Sequence, residues 1–179
     1  MIKVYIGPMY SGKTTAIIDL YLNTWNKEEV LCFKPELDTR SHSKIKSRNI
    51  EQSIEAITIK RIEEIDKYLE DKITKIFIDE AQFLKGDVNY LLELSLIKNM
   101  EIHIAGLSLT SEQKPFGLMP EILSIADEIK IFKAICYICN KPAAYTYYNG
   151  KKETEILVGS KGYMPLCKEC LLKKRNCQK

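Results

Sequence analysis

Gly7-Pro8-Met9-Tyr10-Ser11-Gly12-Lys13-Thr14 restricts the possible folds more than any other stretch of the chain. It fits G-x-x-x-x-G-K-[ST] in full, and every fixed position has a physical reason. Gly7 leaves a strand in a tight turn, and Gly12 lets backbone N–H groups approach an anion with no Cβ in the way. A helix opening at Lys13 points its unpaired N–H groups and positive dipole end at that anion. Lys13 adds a mobile positive charge, and the Thr14 hydroxyl suits Mg²⁺. The apolar run Ile2-Lys3-Val4-Tyr5-Ile6 reads as the strand before the loop. Lys13–Trp25, with Ile17, Leu20, Tyr21 and Thr24 at helical spacing, reads as the helix after it. Such a loop cradles the phosphates of a nucleoside triphosphate. Gly7, Met9, Tyr10, Ser11, Gly12, Lys13, Thr14 and Thr15 are therefore candidate ATP-binding residues.

The rest of the first 132 residues continues the same alternation. Candidate strands are Lys3–Ile6, Val30–Lys34, Lys75–Asp79, Glu101–Ala105 and Glu128–Phe132. Two further helices are expected over Arg61–Glu70 and Val88–Lys98, from apolar residues three and four apart. Strand and helix in alternation predict an α/β fold, a parallel sheet flanked by helices. Ligands in such a sheet lie at the carboxyl ends of the strands. From Lys133 onward cysteine pairs, tyrosines and a possible hairpin at Asn149-Gly150 replace that pattern. The expected division is a nucleotide-binding domain over 1–132 and a small zinc-ribbon-like domain over 133–179.

Ile76-Phe77-Ile78-Asp79-Glu80 is an apolar strand ending in two carboxylates. In phosphate-loop proteins an aspartate at this place serves Mg²⁺, so Thr14 and Asp79 are the expected Mg²⁺ residues. Glu80 is then available for proton chemistry, either taking a proton from an attacking hydroxyl or orienting a water. The first role makes a kinase and the second an ATPase. The residues alone leave both open.

Cys136/Cys139 and Cys167/Cys170 form two Cys-x-x-Cys pairs. Four thiolates at this spacing predict a closed, tetrahedral, structural Zn²⁺ site rather than a redox pair. Cys32 lies in an apolar run and reads as core; Cys177 lies in a basic tail, Lys168 to Lys179, that reads as solvated. With 45% apolar and 28% charged residues, the chain has the balance of a folded protein rather than a disordered one. No apolar run approaches the roughly 18 residues of a membrane span, and Met1 leads directly into the first strand, so a cytoplasmic location is expected.

Together these segments resemble the cellular-type thymidine kinases, which join a phosphate-loop domain to a zinc domain bearing a lasso loop. The resemblance runs from about Lys3 to Lys173. It rests on residues 7–14, Asp38-Thr39-Arg40, Ser47-Arg48, Asp79-Glu80-Ala81-Gln82-Phe83, Pro115-Phe116-Gly117, the four paired cysteines and Gly162-Tyr163. It implies transfer of the γ-phosphoryl group of ATP to the 5′-hydroxyl of thymidine or deoxyuridine. By the same resemblance Glu80 is the general base, Arg40 faces the transferred phosphoryl group, and Gln82 joins the ATP-binding residues. Met9, Asp38, Phe83, Leu107, Ser111 and Tyr163 fall at nucleoside-binding positions, with Val158 and Gly159 in the lasso over 155–162. A homotetramer and feedback inhibition by dTTP are also implied, with no membrane or nucleic-acid partner.

Three positions depart from the family pattern: Ser108 stands where an aspartate is usual, Ser111 where a phenylalanine packs on the base, and Tyr148 where an arginine is common. Loss of an aromatic wall removes stacking worth about 0.5–1.5 kcal/mol beyond its buried area. A divergent member with altered nucleoside preference is thus one alternative, and a zinc-bearing ATPase that binds nucleic acid through its basic tail is another.

Overall fold

The computed structural model describes residues 1–39, 43–47, 51–150, 159 and 161–176. In chain order the regular elements are β1 (Ile2–Ile6), α1 (Lys13–Leu22), β2 (Val30–Pro35), β3 (Lys44–Lys46), β4 (Ser53–Glu55) and β5 (Ile57–Ile59). They continue with β6 (Lys75–Ile78), α2 (Asn89–Leu96), β7 (Glu101–Gly106), α3 (Met119–Ser124) and β8 (Glu128–Ile131). The C-terminal part holds β9 (Ala134–Ile135), β10 (Pro142–Ala143), β11 (Tyr145–Tyr148), β12 (Tyr163–Leu166) and α4 (Lys168–Asn176).

Six strands form one sheet in the order β5-β2-β6-β7-β1-β8, and every pairing in it is parallel. This is the α/β architecture expected. The strand pleat explains how both faces are covered. Ile76 and Ile78 point into a cluster with Ile2, Val4, Phe33, Ile102, Ile104, Leu91 of α2 and Met119 of α3. Phe77 between them points the other way, toward Ile17 and Ile18 of α1 and Ile45 and Ile54 of the β3–β4 hairpin. Alternate residues thus meet different helices, and a continuous apolar run is the only pattern that satisfies both sides. Each fully buried isoleucine contributes about 1.5–3 kcal/mol by leaving water.

The parallel arrangement puts the ends of β1, β6 and β7 on one edge. Ile6 pairs with Gly106, and Ile78 with Ile104. The loops over 7–12, 79–83 and 107–117 therefore leave the sheet side by side.

Several elements differ from expectation. The first helix stops at Leu22 rather than Trp25, where the Lys27 ammonium closes on the carbonyls of Tyr21, Leu22 and Thr24. The stretch expected as a helix over Arg61–Glu70 is a 3₁₀ segment, Ile62–Tyr68. Ile62 and Ile65 are three residues apart, a spacing that fits three residues per turn as well as 3.6. Beside Asn149-Gly150, β11 pairs antiparallel with β12, and the Asn149 N–H reaches the Gly162 carbonyl at 2.9 Å; the residues that a tight hairpin there would bring back lie outside the described residues. The strand β5, the β3–β4 hairpin and helices α3 and α4 had no sequence expectation. Each is too short, or in α4 too polar, to show a period.

Past β8, two small antiparallel sheets and α4 enclose a separate cluster of Ala134, Cys136, Ala143, Tyr147, Leu166, Cys167, Cys170 and Leu171. Among the described residues, no helix is long and apolar enough to cross a membrane.

Candidate active site

The loop after β1 has the backbone its glycines predict. Gly12 caps α1 with φ 90°, a left-handed conformation that an L side chain strains, and no side chain caps the helix start. The start of α1, with the positive end of its dipole, therefore faces outward as an anion site would require. The Lys13 ammonium is folded over the loop, donating to the carbonyls of Gly7 at 3.0 Å and Pro8 at 2.9 Å, with Ser11 Oγ at 3.4 Å. Met9 is half-buried, and Tyr10, exposed, takes φ 66°. Thr15 Oγ1 lies 2.7 Å from Ser47 Oγ, which ties α1 to the segment after β3.

Thr14 Oγ1 donates to Asp79 Oδ2 at 3.0 Å. The loop and the end of β6 thereby bring together two hard oxygen donors, the chemistry Mg²⁺ takes. Asp79 is buried, and its N–H is held by the Phe33 carbonyl of β2. Glu80 follows with φ 54°, a left-handed conformation rare for a side chain of this size. That turn takes Glu80 out of the strand's alternation and brings its carboxylate beside Gln82. Gln82 Nε2 donates to Glu80 Oε2 at 2.5 Å, and Gln82 Oε1 accepts the Leu107 N–H at 2.9 Å. Gln82 was expected among the ATP-binding residues; it is buried, and its amide joins Glu80 to the loop after β7.

That loop packs tightly on the Glu80 segment. A Cβ at Gly117, which has φ 51°, would stand 2.1 Å from the Gln82 carbonyl oxygen, so only glycine fits there. Phe83 and Phe116 meet edge to face at 5.4 Å, and the Phe116 N–H bonds the Ser108 carbonyl at 3.2 Å; Leu107 and Ser111 in the same loop are half-buried. Tyr163 of β12 packs on Tyr148 of β11 at 4.8 Å. Gly159 has φ 134°. Arg40 and Val158 lie outside the described residues, as do Arg48 and Cys177.

Asp38 is buried and forms an ion pair with Lys34 at 3.1 Å, and the Lys34 ammonium also donates to the Lys44 carbonyl at 3.2 Å. The pair fixes the chain after β2, just before Arg40.

Thr146 was not expected, and the structure places it between the two parts of the site. Its Oγ1 accepts the Met9 N–H at 2.9 Å, while its carbonyl accepts from Gln113 Nε2 at 3.2 Å. One buried residue of β11 thus holds both the phosphate loop and the loop after β7. A threonine among strand tyrosines carries no chemical signature, so only the fold could find it.

The sulfur atoms of Cys136, Cys139, Cys167 and Cys170 all lie within 4.8 Å of one another, and Cys139 and Cys167 are 3.6 Å apart. Zn–S bonds of about 2.3 Å in a tetrahedron require sulfurs about 3.8 Å apart, so the set fits Zn²⁺. Burial pushes the Cys170 thiol up to about 12. Cys136 is also buried, yet backbone N–H groups of Cys167, Cys139 and Ile138 outweigh that and hold it down at about 6. The sulfurs resist shared negative charge, and a bound dication relieves that repulsion.

Comparisons with known proteins identify the family. The family model described as Thymidine kinase matches residues 1–171. The thymidine kinase of Mycoplasma mobile is 35% identical over 176 residues, covering 96% of this chain and 87% of that protein. That of Pseudothermotoga lettingae is 32% identical over 173 residues, covering 94% of this chain and 93% of its own. The Onion yellows phytoplasma thymidine kinase is 38% identical over 182 residues, covering 94% of this chain and 85% of its own.

Proposed function

The chain belongs to the thymidine kinase family, and on that premise we propose that it transfers the γ-phosphoryl group of ATP to the 5′-hydroxyl of thymidine. The observation that carries the reading is the Thr14–Asp79 pair at 3.0 Å with Glu80 turned out of β6 directly beside it. It supports reading residues 7–14 as the triphosphate loop, Thr14 and Asp79 as the hard-cation residues and Glu80 as the general base.

ATP lies along residues 7–15, its phosphates over the start of α1. Lys13 leaves the loop carbonyls for the β- and γ-phosphates. Thr14 and Asp79 would hold Mg²⁺, which neutralises charge on the phosphates when bound. The nucleoside base lies between Met9, Phe83, Leu107 and Tyr163, with Ser111 at the loop tip and Val158 and Gly159 in the lasso. The 5′-oxygen attacks the γ-phosphorus, the bond to the β,γ-bridging oxygen breaks, ADP leaves, and the hydroxyl proton passes to Glu80. Gln82 keeps the Glu80 carboxylate in place, and the family resemblance assigns Arg40 the role of offsetting charge on the transferred group. Most of the rate enhancement in such a site comes from positioning and charge stabilisation.

Cys136, Cys139, Cys167 and Cys170 would hold a structural Zn²⁺, which would anchor a second domain, 133–179, carrying the lasso. Family membership supports a cytoplasmic homotetramer subject to feedback inhibition by dTTP.

Purified protein with Mg²⁺ and ATP is offered thymidine, deoxyuridine or deoxycytidine singly, with Glu80→Gln as control. Thymidine 5′-monophosphate from the wild type, nearly lost in the variant, supports the reading. Product from deoxycytidine alone would refute the substrate. Hydrolysis of ATP without any monophosphate, rising with added nucleic acid, would refute the kinase itself.

A further inference from the structure

The tip of the loop after β7 is held from outside the sheet. Thr110 N–H bonds the Lys114 carbonyl at 2.9 Å, and Gln113 N–H bonds the Thr110 carbonyl at 3.0 Å, closing a tight turn over 110–114. Gln113 takes φ 61° in that turn. A left-handed glutamine persists only where its surroundings over-determine it. Here both ends of its amide are engaged. Gln113 Nε2 donates to the Thr146 carbonyl of β11 at 3.2 Å and to the Ser111 carbonyl. Gln113 Oε1 accepts from the Arg175 guanidinium, which also donates to the Glu112 carbonyl at 3.0 Å.

Arg175 stands in the last turn of α4, the helix that carries Cys170. It lies in the Lys173-Lys174-Arg175 run that reads from the sequence as a solvated tail. A planar guanidinium can meet a backbone carbonyl and an amide oxygen together, which a lysine ammonium does less well. Arg175 therefore crosses from the cysteine-bearing end of the chain to the tip that presents Ser111.

We propose that Arg175 and Gln113 are positioning residues for nucleoside binding: α4 clasps the 110–114 turn and fixes the wall of the base pocket, a role that rests on reading that loop as the nucleoside side of the site. Among the described residues the clasp reaches the phosphate loop only through Thr146, whose hydroxyl bond to the Met9 N–H does not depend on Gln113, so its loss weakens nucleoside binding and leaves ATP binding and the chemical step largely intact.

Steady-state kinetics of wild type, Arg175→Ala, Arg175→Lys and Gln113→Ala, with hydrogen–deuterium exchange on the same proteins, test this. In Arg175→Ala the KM for thymidine rises about threefold to tenfold, while kcat and the KM for ATP stay within about twofold. Arg175→Lys recovers only part of the loss. The double variant Arg175→Ala/Gln113→Ala is no worse than the poorer single one, because the two act as one unit. Exchange over 109–114 quickens in each single alanine variant, and exchange over 7–14 does not. Parallel rises in both KM values, or unchanged exchange over 109–114, would overturn the proposal. If the wild type phosphorylates no thymidine, the functional reading falls, while the exchange comparison still decides whether the clasp holds the turn.

Discussion

Gln82 donates to the Glu80 carboxylate at 2.5 Å and accepts the Leu107 N–H at 2.9 Å, so one buried amide couples the end of β6 to the end of β7. It fixes the proposed base and the neighbouring pocket wall in one contact. Glu80→Gln is expected to lower kcat by about 10²–10⁴-fold with little change in ATP affinity. Gln82→Ala should lower kcat about tenfold and cost about 1 kcal/mol of stability, since the part-buried Leu107 N–H loses its acceptor. Single-turnover rates and urea denaturation separate the two effects. A Gln82→Ala protein that loses stability but keeps its single-turnover rate would remove Gln82 from the catalytic account.

The Lys34–Asp38 pair makes a different kind of claim. Both side chains are buried, 1% and 6% exposed, so neither charge is relieved by water. Lys34→Met should therefore destabilise the protein by about 3–5 kcal/mol, because Asp38 then keeps a buried charge without that cation. Lys34→Met/Asp38→Asn should recover much of the loss. Denaturation midpoints and slopes for the two variants decide it; equal instability in both would mean that packing, not charge, holds this turn.

Most of the sheet was legible because a buried parallel strand is apolar on both faces, as Ile76-Phe77-Ile78 is, and nearly so in Ile102-His103-Ile104, where His103 is the one polar residue. The phosphate loop was legible because its backbone demands glycine and its chemistry demands Lys13 and Thr14. Ile57–Ile59 was not, since three residues carry no readable period. The residues joining the two parts of the site were hidden for another reason. Thr146, Gln113 and Arg175 act through contacts 33 to 137 residues apart in sequence, and a hydroxyl, an amide and a tail arginine look ordinary in isolation. Gln82 shows the reverse case: its motif was visible, but not that its partners are Glu80 and Leu107.

Metal removal tests the division of labour between the two ends of the chain. Cys167 and Cys170 sit at the start of α4, and Tyr137 N–H bonds the Pro165 carbonyl of β12 at 2.9 Å, so the cysteine cluster sets both β12 and α4. Chelation, or Cys170→Ser, is expected to raise the KM for thymidine several-fold before ATP binding weakens, and to lower the melting temperature. Thiol titration before and after chelation reports the metal content directly. Equal early loss of both substrates would contradict this division.

His103 supplies a prediction about pH. It is 2% exposed in β7, stacked on Phe77 at 4.7 Å and on Tyr5 at 5.9 Å, with Nδ1 2.9 Å from the Tyr5 hydroxyl. Nε2 lies 3.1 Å from Glu101 Oε1 without an aligned hydrogen bond, and Glu101 is itself held by Lys3 at 2.9 Å and Lys75 at 2.8 Å. Burial lowers the His103 pKa from 6.5 to about 4, against the opposing pull of Glu101. The folded value lies below the unfolded one, so the unfolded chain takes up the proton first. Its contribution is complete above about pH 6.5 and is lost as pH falls from there toward 4, amounting to roughly 3 kcal/mol. Glu101, held down at about 2 because its lysine partners outweigh burial, adds a loss in the same direction below about pH 4.5. Urea denaturation at pH 7.5, 6.0, 5.0 and 4.5 should show wild-type stability falling throughout. His103→Gln should start lower, having lost the stacked ring, but should fall less steeply between pH 6.5 and 4.5. Parallel curves for the two proteins would mean that the acid sensitivity of this fold lies elsewhere.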